Sequence, residues 1–144
     1  MIWIIDASVA VRWFLEDENS QDADVILYRV IELPELFVVP ELFCFEVYAV
    51  LCRVHPLGHN IFVKGMIPIL NGGIFRQPMT EDLAKKASVY VKKGLTVYDA
   101  TYVSLAKQMK GIWITFDQKA CRCIQDDHIA HDLTKGLPES WESK

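Results

Sequence analysis

The chain has 144 residues, 51% of them hydrophobic, and a formal net charge of −4. A chain of this size buries roughly two-thirds or more of its unfolded surface, so residues 1–144 are expected to form one domain around its own core. No segment reaches the roughly 18 to 20 apolar residues that span a bilayer, and the acidic total carries no global signature of nucleic-acid affinity, although a local basic strip can still hold phosphates.

The chain opens on an apolar run, Ile2-Trp3-Ile4-Ile5, which reads as a buried parallel strand ending at Asp6. Asp6 and Arg12 interrupt the apolar start and no small-residue cleavage site follows, so no signal peptide is expected. Residues 8–16 read as a short helix with Ser8 as its N-cap, and Asn19 or Ser20 caps a second in which Val25, Leu27, Tyr28 and Ile31 recur at helical spacing. Residues 36–39 form the next strand, and Pro40 suits the first position of a helix over 41–54. His55, Pro56 and Gly58 break that helix, and another follows over 60–70 with Pro68 kinking or shortening its last turn.

Asn71-Gly72-Gly73 is a turn, and residues 74–77 a third strand. Thr80 caps a helix running to Lys93, with Glu81 and Asp82 in its first turn and Lys92, Lys93 and Gly94 at its end, as the helix dipole favours. Residues 96–110 form a further helix stopped by Gly111. Strand 112–115, a short helix over 119–124 and an edge strand over 128–133 complete the pattern. Strands alternating with helices predict an α/β fold: a short parallel sheet of about five strands between two helical layers. Cys44, Cys52, Cys121 and Cys123 sit among apolar neighbours or one residue apart, which reads as free thiols in a reducing compartment, the cytoplasm.

Four acids stand out. Asp6 and Asp117 each follow an apolar strand, where a ligand-binding rim would lie, though a turn or a helix cap explains either one alone. Glu46 is the only acid within residues 42–51, a helix with no wholly polar face. Burying an unpaired carboxylate costs several kcal/mol, so Glu46 requires a cation or hydrogen-bond donors beside it. Glu41, in the first turn, is accounted for by the helix dipole. Asp99 also lies in a first turn, yet Val103 and Ala106 share its face and turn it toward the protein.

In combination the four suggest more. Asp6 and Asp117 would leave adjacent strands at the switch point of the sheet, with Glu46 and Asp99 reaching in from packed helices. Carboxylates within about 4 to 6 Å of one another cannot all ionise without a counter-cation. An all-oxygen set suits Mg²⁺ or Mn²⁺, and the chemistry this implies is phosphodiester hydrolysis.

The segments that carry these acids resemble a known family. Ile4-Ile5-Asp6-Ala7-Ser8-Val9-Ala10-Val11-Arg12-Trp13-Phe14, Val39-Pro40-Glu41-Leu42 with Phe45-Glu46-Val47, Leu95-Thr96-Val97-Tyr98-Asp99-Ala100-Thr101-Tyr102 with Leu105-Ala106, and Ile114-Thr115-Phe116-Asp117 are similar, in that order, to PIN-domain ribonucleases and among them to VapC-type toxins of toxin–antitoxin pairs. The resemblance implies that Asp6, Glu46, Asp99 and Asp117 are the catalytic and metal-binding quartet, with Ser8 and Thr115 as supporting hydroxyls. It further implies an RNA substrate, a homodimer, and a cognate antitoxin that plugs the site. The departure from the family pattern falls in residues 55–73, where Pro56, Pro68 and a Gly pair interrupt what is usually an unbroken helical pair. Arg12 is a candidate RNA contact, as are Arg53, Lys64, Arg76 and Lys119, although solvated surface explains most of these cations equally well.

Other readings fare less well. Cys121, Cys123, His128 and His131 lack the spacing of a structural zinc site, and a phosphatase with Asp6 as nucleophile would want a second acid where Ser8 stands. The rivals that remain are a PIN-like scaffold that binds RNA or protein without cutting, and a solitary RNA-processing nuclease. The helix over 41–54 is also too apolar for one sheet face to bury all of Phe43, Val47, Tyr48 and Leu51, so it is expected to contribute to a dimer interface or to the antitoxin groove.

Overall fold

The chain forms five short strands, β1 (Trp3–Ile5), β2 (Phe37–Pro40), β3 (Phe75–Gln77), β4 (Ile112–Thr115) and β5 (Ala130–Asp132), in a computed structural model that describes residues 1–142. All neighbours are parallel, in the order β3-β2-β1-β4-β5. β1 and β2 are buried along their whole length, which explains why they read as continuous apolar runs rather than alternating ones.

Helices α1 (Ala7–Ala10), α2 (Gln21–Glu32), α3 (Leu42–Val54), α4 (Gly58–Ile61) and α5 (Ile67–Leu70) precede β3; α6 (Glu81–Lys92), α7 (Val97–Met109) and α8 (Gln118–Cys123) follow it. The chain steps from β1 through β2 to β3 in one direction, then returns and steps from β4 to β5 in the other. With right-handed crossovers, the two helix groups therefore cover opposite faces. α1 packs on α3, while α6 packs on α7, which itself lies across β1, β2 and β4. The reversal of direction falls between β1 and β4, where Asp6 N–H donates to the Ile114 carbonyl at 3.0 Å. Ligands of open α/β sheets bind beyond the strand ends at such a point.

Several elements differ in detail from the sequence expectation. Asp6, not Ser8, caps the first helix, which tightens into a narrower turn over Val11–Trp13 after four residues. The expected helix over 60–70 contains a wider turn at Phe62–Met66, which lets Pro68 fall in the first turn of α5, where its missing N–H costs nothing. At the end of α7 the left-handed residue is Lys110 (φ 55°), and Gly111 serves close approach instead. A Cβ on Gly111 would collide with the Ile2 carbonyl, so its absence lets β4 run beside β1.

The apolar surplus of α3 lies elsewhere than expected. Phe43, Val47 and Leu51 are all fully buried, because the helix is covered by the sheet on one side and by α1 and the α4 region on others. What faces outward is Phe45, 70% exposed, and Val54, while Tyr48 packs on Phe62 and meets the His59 ring nitrogen through its hydroxyl at 2.8 Å. All four cysteines are free thiols. Among the described residues no helix is long and apolar enough to cross a membrane.

Candidate active site

Asp6 stands where β1 turns into α1, and both of its carboxylate oxygens are engaged. Oδ2 accepts the Ser8 backbone N–H at 3.0 Å and Oδ1 the Trp113 indole N–H at 3.3 Å. The cap reading and the site reading of Asp6 therefore hold together: capping α1 is what aims the carboxylate over the strand ends. Ser8 and Thr115 join this turn to the one after β4. The Ser8 hydroxyl accepts the Phe116 N–H at 3.1 Å and lies 3.5 Å from the Thr115 hydroxyl, which accepts the Asp117 N–H at 3.1 Å.

Glu46 reaches the same region from α3. Its Oε1 accepts a hydrogen bond from the Tyr102 hydroxyl at 2.8 Å, the donor that a lone acid in an apolar helix requires. Tyr102 and Trp113 are both fully buried and stack on each other, with ring centroids 5.7 Å apart and planes 18° from parallel. One polar tip of this pair thus holds Glu46 and the other holds Asp6. Sequence reasoning assigned neither residue to the site. The available signal was that buried Tyr and Trp usually find a partner for their polar atom.

Asp99 enters from the first turn of α7, which Thr96 caps, and Val103 and Ala106 on its face are buried as expected. Asp117 caps α8 through the Ala120 N–H at 3.0 Å. Asp99 and Asp117, with Thr96 and Lys119, line a cleft of about 170 Å³.

The carboxylates act on one another. Burial pushes Glu46 up to about 7, with Asp6 and Asp99 adding to the rise against the Tyr102 hydrogen bond. Asp99 is pushed up to about 6 by burial, then by Asp6 and Asp117. Asp6 is raised by burial, although hydrogen bonds from Ser8, Thr115 and Trp113 favour its charged form. Among the described residues none of the four has an ion-pair partner. They converge without closing, since among the described residues no three acids, histidines or cysteines form a ready ligand set. The donors are all hard carboxylate oxygens in mutual repulsion, without an ion pair among the described residues, and that chemistry fits a divalent ion such as Mg²⁺.

Arg12 is held by internal contacts. Its guanidinium lies 4.0 Å above the Phe116 ring and donates to the Glu18 carbonyl at 3.3 Å. Arg76 lies 3.9 Å from Glu41 on the far side of the sheet order. Of the candidate cations, Lys119 is the one that lines the cleft. Cys123 donates to the Lys93 carbonyl and His131 to that of Gly136, so these two members of the cysteine–histidine group have separate local partners.

The family model described as PIN domain matches residues 3–123, from β1 through α8, and the chain belongs to that family. Among curated protein sequences none matches. Among solved structures, FitAcB from Neisseria gonorrhoeae is similar with a TM-score of 0.68 at 13% identity, over 90% of this chain and 96% of that one. A sarcin–ricin loop cleaving VapC toxin from Mycobacterium tuberculosis aligns with a TM-score of 0.66 at 15% identity, over 85% of this chain and 95% of the toxin. A toxin–antitoxin complex from Klebsiella pneumoniae gives 0.64 at 14%, over 84% and 91%. At these identities the likeness is one of fold.

Proposed function

We propose that this chain is a metal-dependent endoribonuclease, the toxin of a type II toxin–antitoxin pair, acting as a single domain through Asp6, Glu46, Asp99 and Asp117. The observation that carries the reading is the convergence of four carboxylates, three of them raised, on the β1/β4 switch point, none with an ion-pair partner among the described residues. Asp6, Glu46, Asp99 and Asp117 would hold Mg²⁺ or Mn²⁺, which supplies polarisation of the phosphoryl oxygen and charge neutralisation of the leaving oxygen. The protein's own part is orientation and proton handling. Trp113 and the Ser8 N–H fix Asp6, and Ser8 and Thr115 tie the two acid-bearing turns together. Glu46, raised by burial in the metal-free chain and oriented by the Tyr102 hydroxyl, would give up its proton and present a charged oxygen to the ion.

RNA as substrate is supported by the sarcin–ricin loop cleaving relative, and an antitoxin partner by the toxin–antitoxin complexes of the same fold. Outward Phe45 on α3 supports a homodimer or an antitoxin groove there, and the free thiols support a cytoplasmic setting. The test is cleavage of mixed RNA by the purified chain with Mg²⁺ or Mn²⁺. EDTA is expected to abolish cleavage and added metal to restore it. Undiminished cleavage in EDTA, or none with either metal, overturns the reading.

A further inference from the structure

α8 forms a ridge with two different sides. Asp117 and residues 119, 120 and 123 face the carboxylate cleft, whereas Gln118, Cys121, Arg122 and Gln125, at i, i+3, i+4 and i+7, face the other way. On that second side lies a polar pocket of about 370 Å³ between α8 and the end of β5, walled also by His128, His131 and Lys135. Its one described carboxylate, Asp132, is buried, and its Oδ1 accepts both the N–H and the hydroxyl of Thr134, at 2.9 and 2.6 Å. The Gln118 amide donates to that same hydroxyl at 2.9 Å, so a chain of hydrogen bonds ties the start of α8 to the end of β5 and holds the pocket wall.

Six cations elsewhere in the molecule are engaged within the fold. Arg12, Arg29, Arg76, Lys85, Lys86 and Lys93 stack or pair within the chain. Arg122 and Lys135 have no hydrogen bond or ion pair among the described residues, and neither does His128 at the lip of the pocket. On a chain of net charge −4, two unpartnered cations and two imidazoles around one cavity form a local anion seat beside the acidic cleft. A helix is about 10 Å across, so a single strand lying over this short ridge would put phosphates about two nucleotides apart on its two sides. Residues 128–135 lie beyond residues 3–123, which the family model matches.

We propose that the pocket between α8 and β5 seats a backbone phosphate of the RNA strand flanking the cleavage position, with Arg122 and Lys135 as its ligands. The proposal rests on the ribonuclease reading and adds the direction in which substrate leaves the cleft, over α8 toward β5. The test is binding of a fluorescein-labelled single-stranded RNA to the full chain in EDTA, where nothing is cleaved. Arg122→Ala/Lys135→Ala is expected to weaken binding about tenfold or more and to flatten the log–log salt dependence by about 0.7, the loss of one single-strand phosphate contact. Lys85→Ala/Lys86→Ala, on α6, changes the net charge equally and is expected to bind as the wild type does. Equal affinity and salt slope in the wild type and the Arg122/Lys135 variant overturn the pocket while leaving the nuclease reading standing. So does an equal loss in both double variants, which would reflect net charge only. A wild-type chain that binds no RNA in EDTA overturns the pocket, while the functional reading stands or falls on the metal-dependent cleavage test.

Discussion

The two ends of the parallel sheet use the same residue types for opposite purposes. At the end where the strands begin, Trp141 packs on Trp3 at 5.0 Å and Phe37 at 6.2 Å, and Arg29 stacks 4.6 Å above Trp141 while donating to its carbonyl. Rings and charge are spent there on closing the core. At the other end Trp113 and Tyr102 are equally buried, but their polar tips serve Asp6 and Glu46. One end is locally satisfied, whereas the other concentrates like charges that raise one another. On the proposed reading, that conflict is the kind a functional site imposes on a fold.

The comparison breaks most sharply if an acid proves dispensable. Asp6→Asn is expected to lower RNA cleavage at least about a hundredfold, a loss typical of removing one group that stabilises transition-state charge. The asparagine oxygen keeps one of the two hydrogen bonds and the repulsion on Asp99 and Glu46 falls, so the metal-free melting temperature should stay within a few degrees. A wild-type rate in the folded variant removes Asp6 from the chemistry.

Trp141→Ala probes the closed end. Deleting a buried indole costs about 3–5 kcal/mol, on the order of ten degrees of melting temperature for a chain of this size. Below that lowered transition, specific activity should match the wild type. A thermal shift of only a degree or two would mean that Trp141 caps nothing.

Metal separates the two ends. Mg²⁺ or Mn²⁺ at a hundredfold excess over its Kd is expected to stabilise the chain by about 2.7 kcal/mol, several degrees by thermal melt. Asp99→Asn and Asp117→Asn should shrink that shift, and Trp141→Ala should keep it. A shift unaltered in both aspartate variants places the ion elsewhere.

The raised carboxylates also set a pH dependence. Glu46 moves from 4.5 to about 7 and Asp99 from 3.8 to about 6, so the folded chain holds protons that the unfolded chain has already lost. Stability without metal is therefore expected to fall as pH rises from about 4 to about 7, and bound metal, which favours the charged forms, should flatten the fall. Melting curves across that range in EDTA and in Mg²⁺ read it directly. Metal-free stability that climbs over the same window would show the cluster to be weakly coupled.

Much of this is legible in the sequence. Strands β1 and β4 showed as apolar runs ending in Asp6 and Asp117, and Glu46 showed as a lone acid in an apolar helix. Those signals are local. The Tyr102–Glu46 bond joins residues 56 apart and the Trp113–Asp6 bond residues 107 apart, and only the strand order brings each pair together. Along the chain Tyr102 and Trp113 look like core, and by burial they are core. Phe43 and Val47 misled in the reverse sense. Their helix looked overfilled with apolar side chains because the sequence does not show how many elements cover it.

Tyr102→Phe tests the smallest of these effects, the tip of one ring. It removes a single hydroxyl from a fully buried side chain while leaving the stack on Trp113 intact, so the stability cost is on the order of 1 kcal/mol. The hydroxyl donates to Glu46 and so favours its charged form against the burial that raises it. Without that donor Glu46 should bind its proton more tightly, and at neutral pH a smaller fraction would be ionised. The acid limb of the pH–rate profile for RNA cleavage is therefore expected to move to higher pH, with the rate recovering under more alkaline conditions. Trp113→Phe, which frees Asp6 in the same way, should move the limb in the same direction. A lower rate at every pH with an unmoved limb would assign both rings to packing alone, and the open end of the sheet would then differ from the closed end only in its carboxylates.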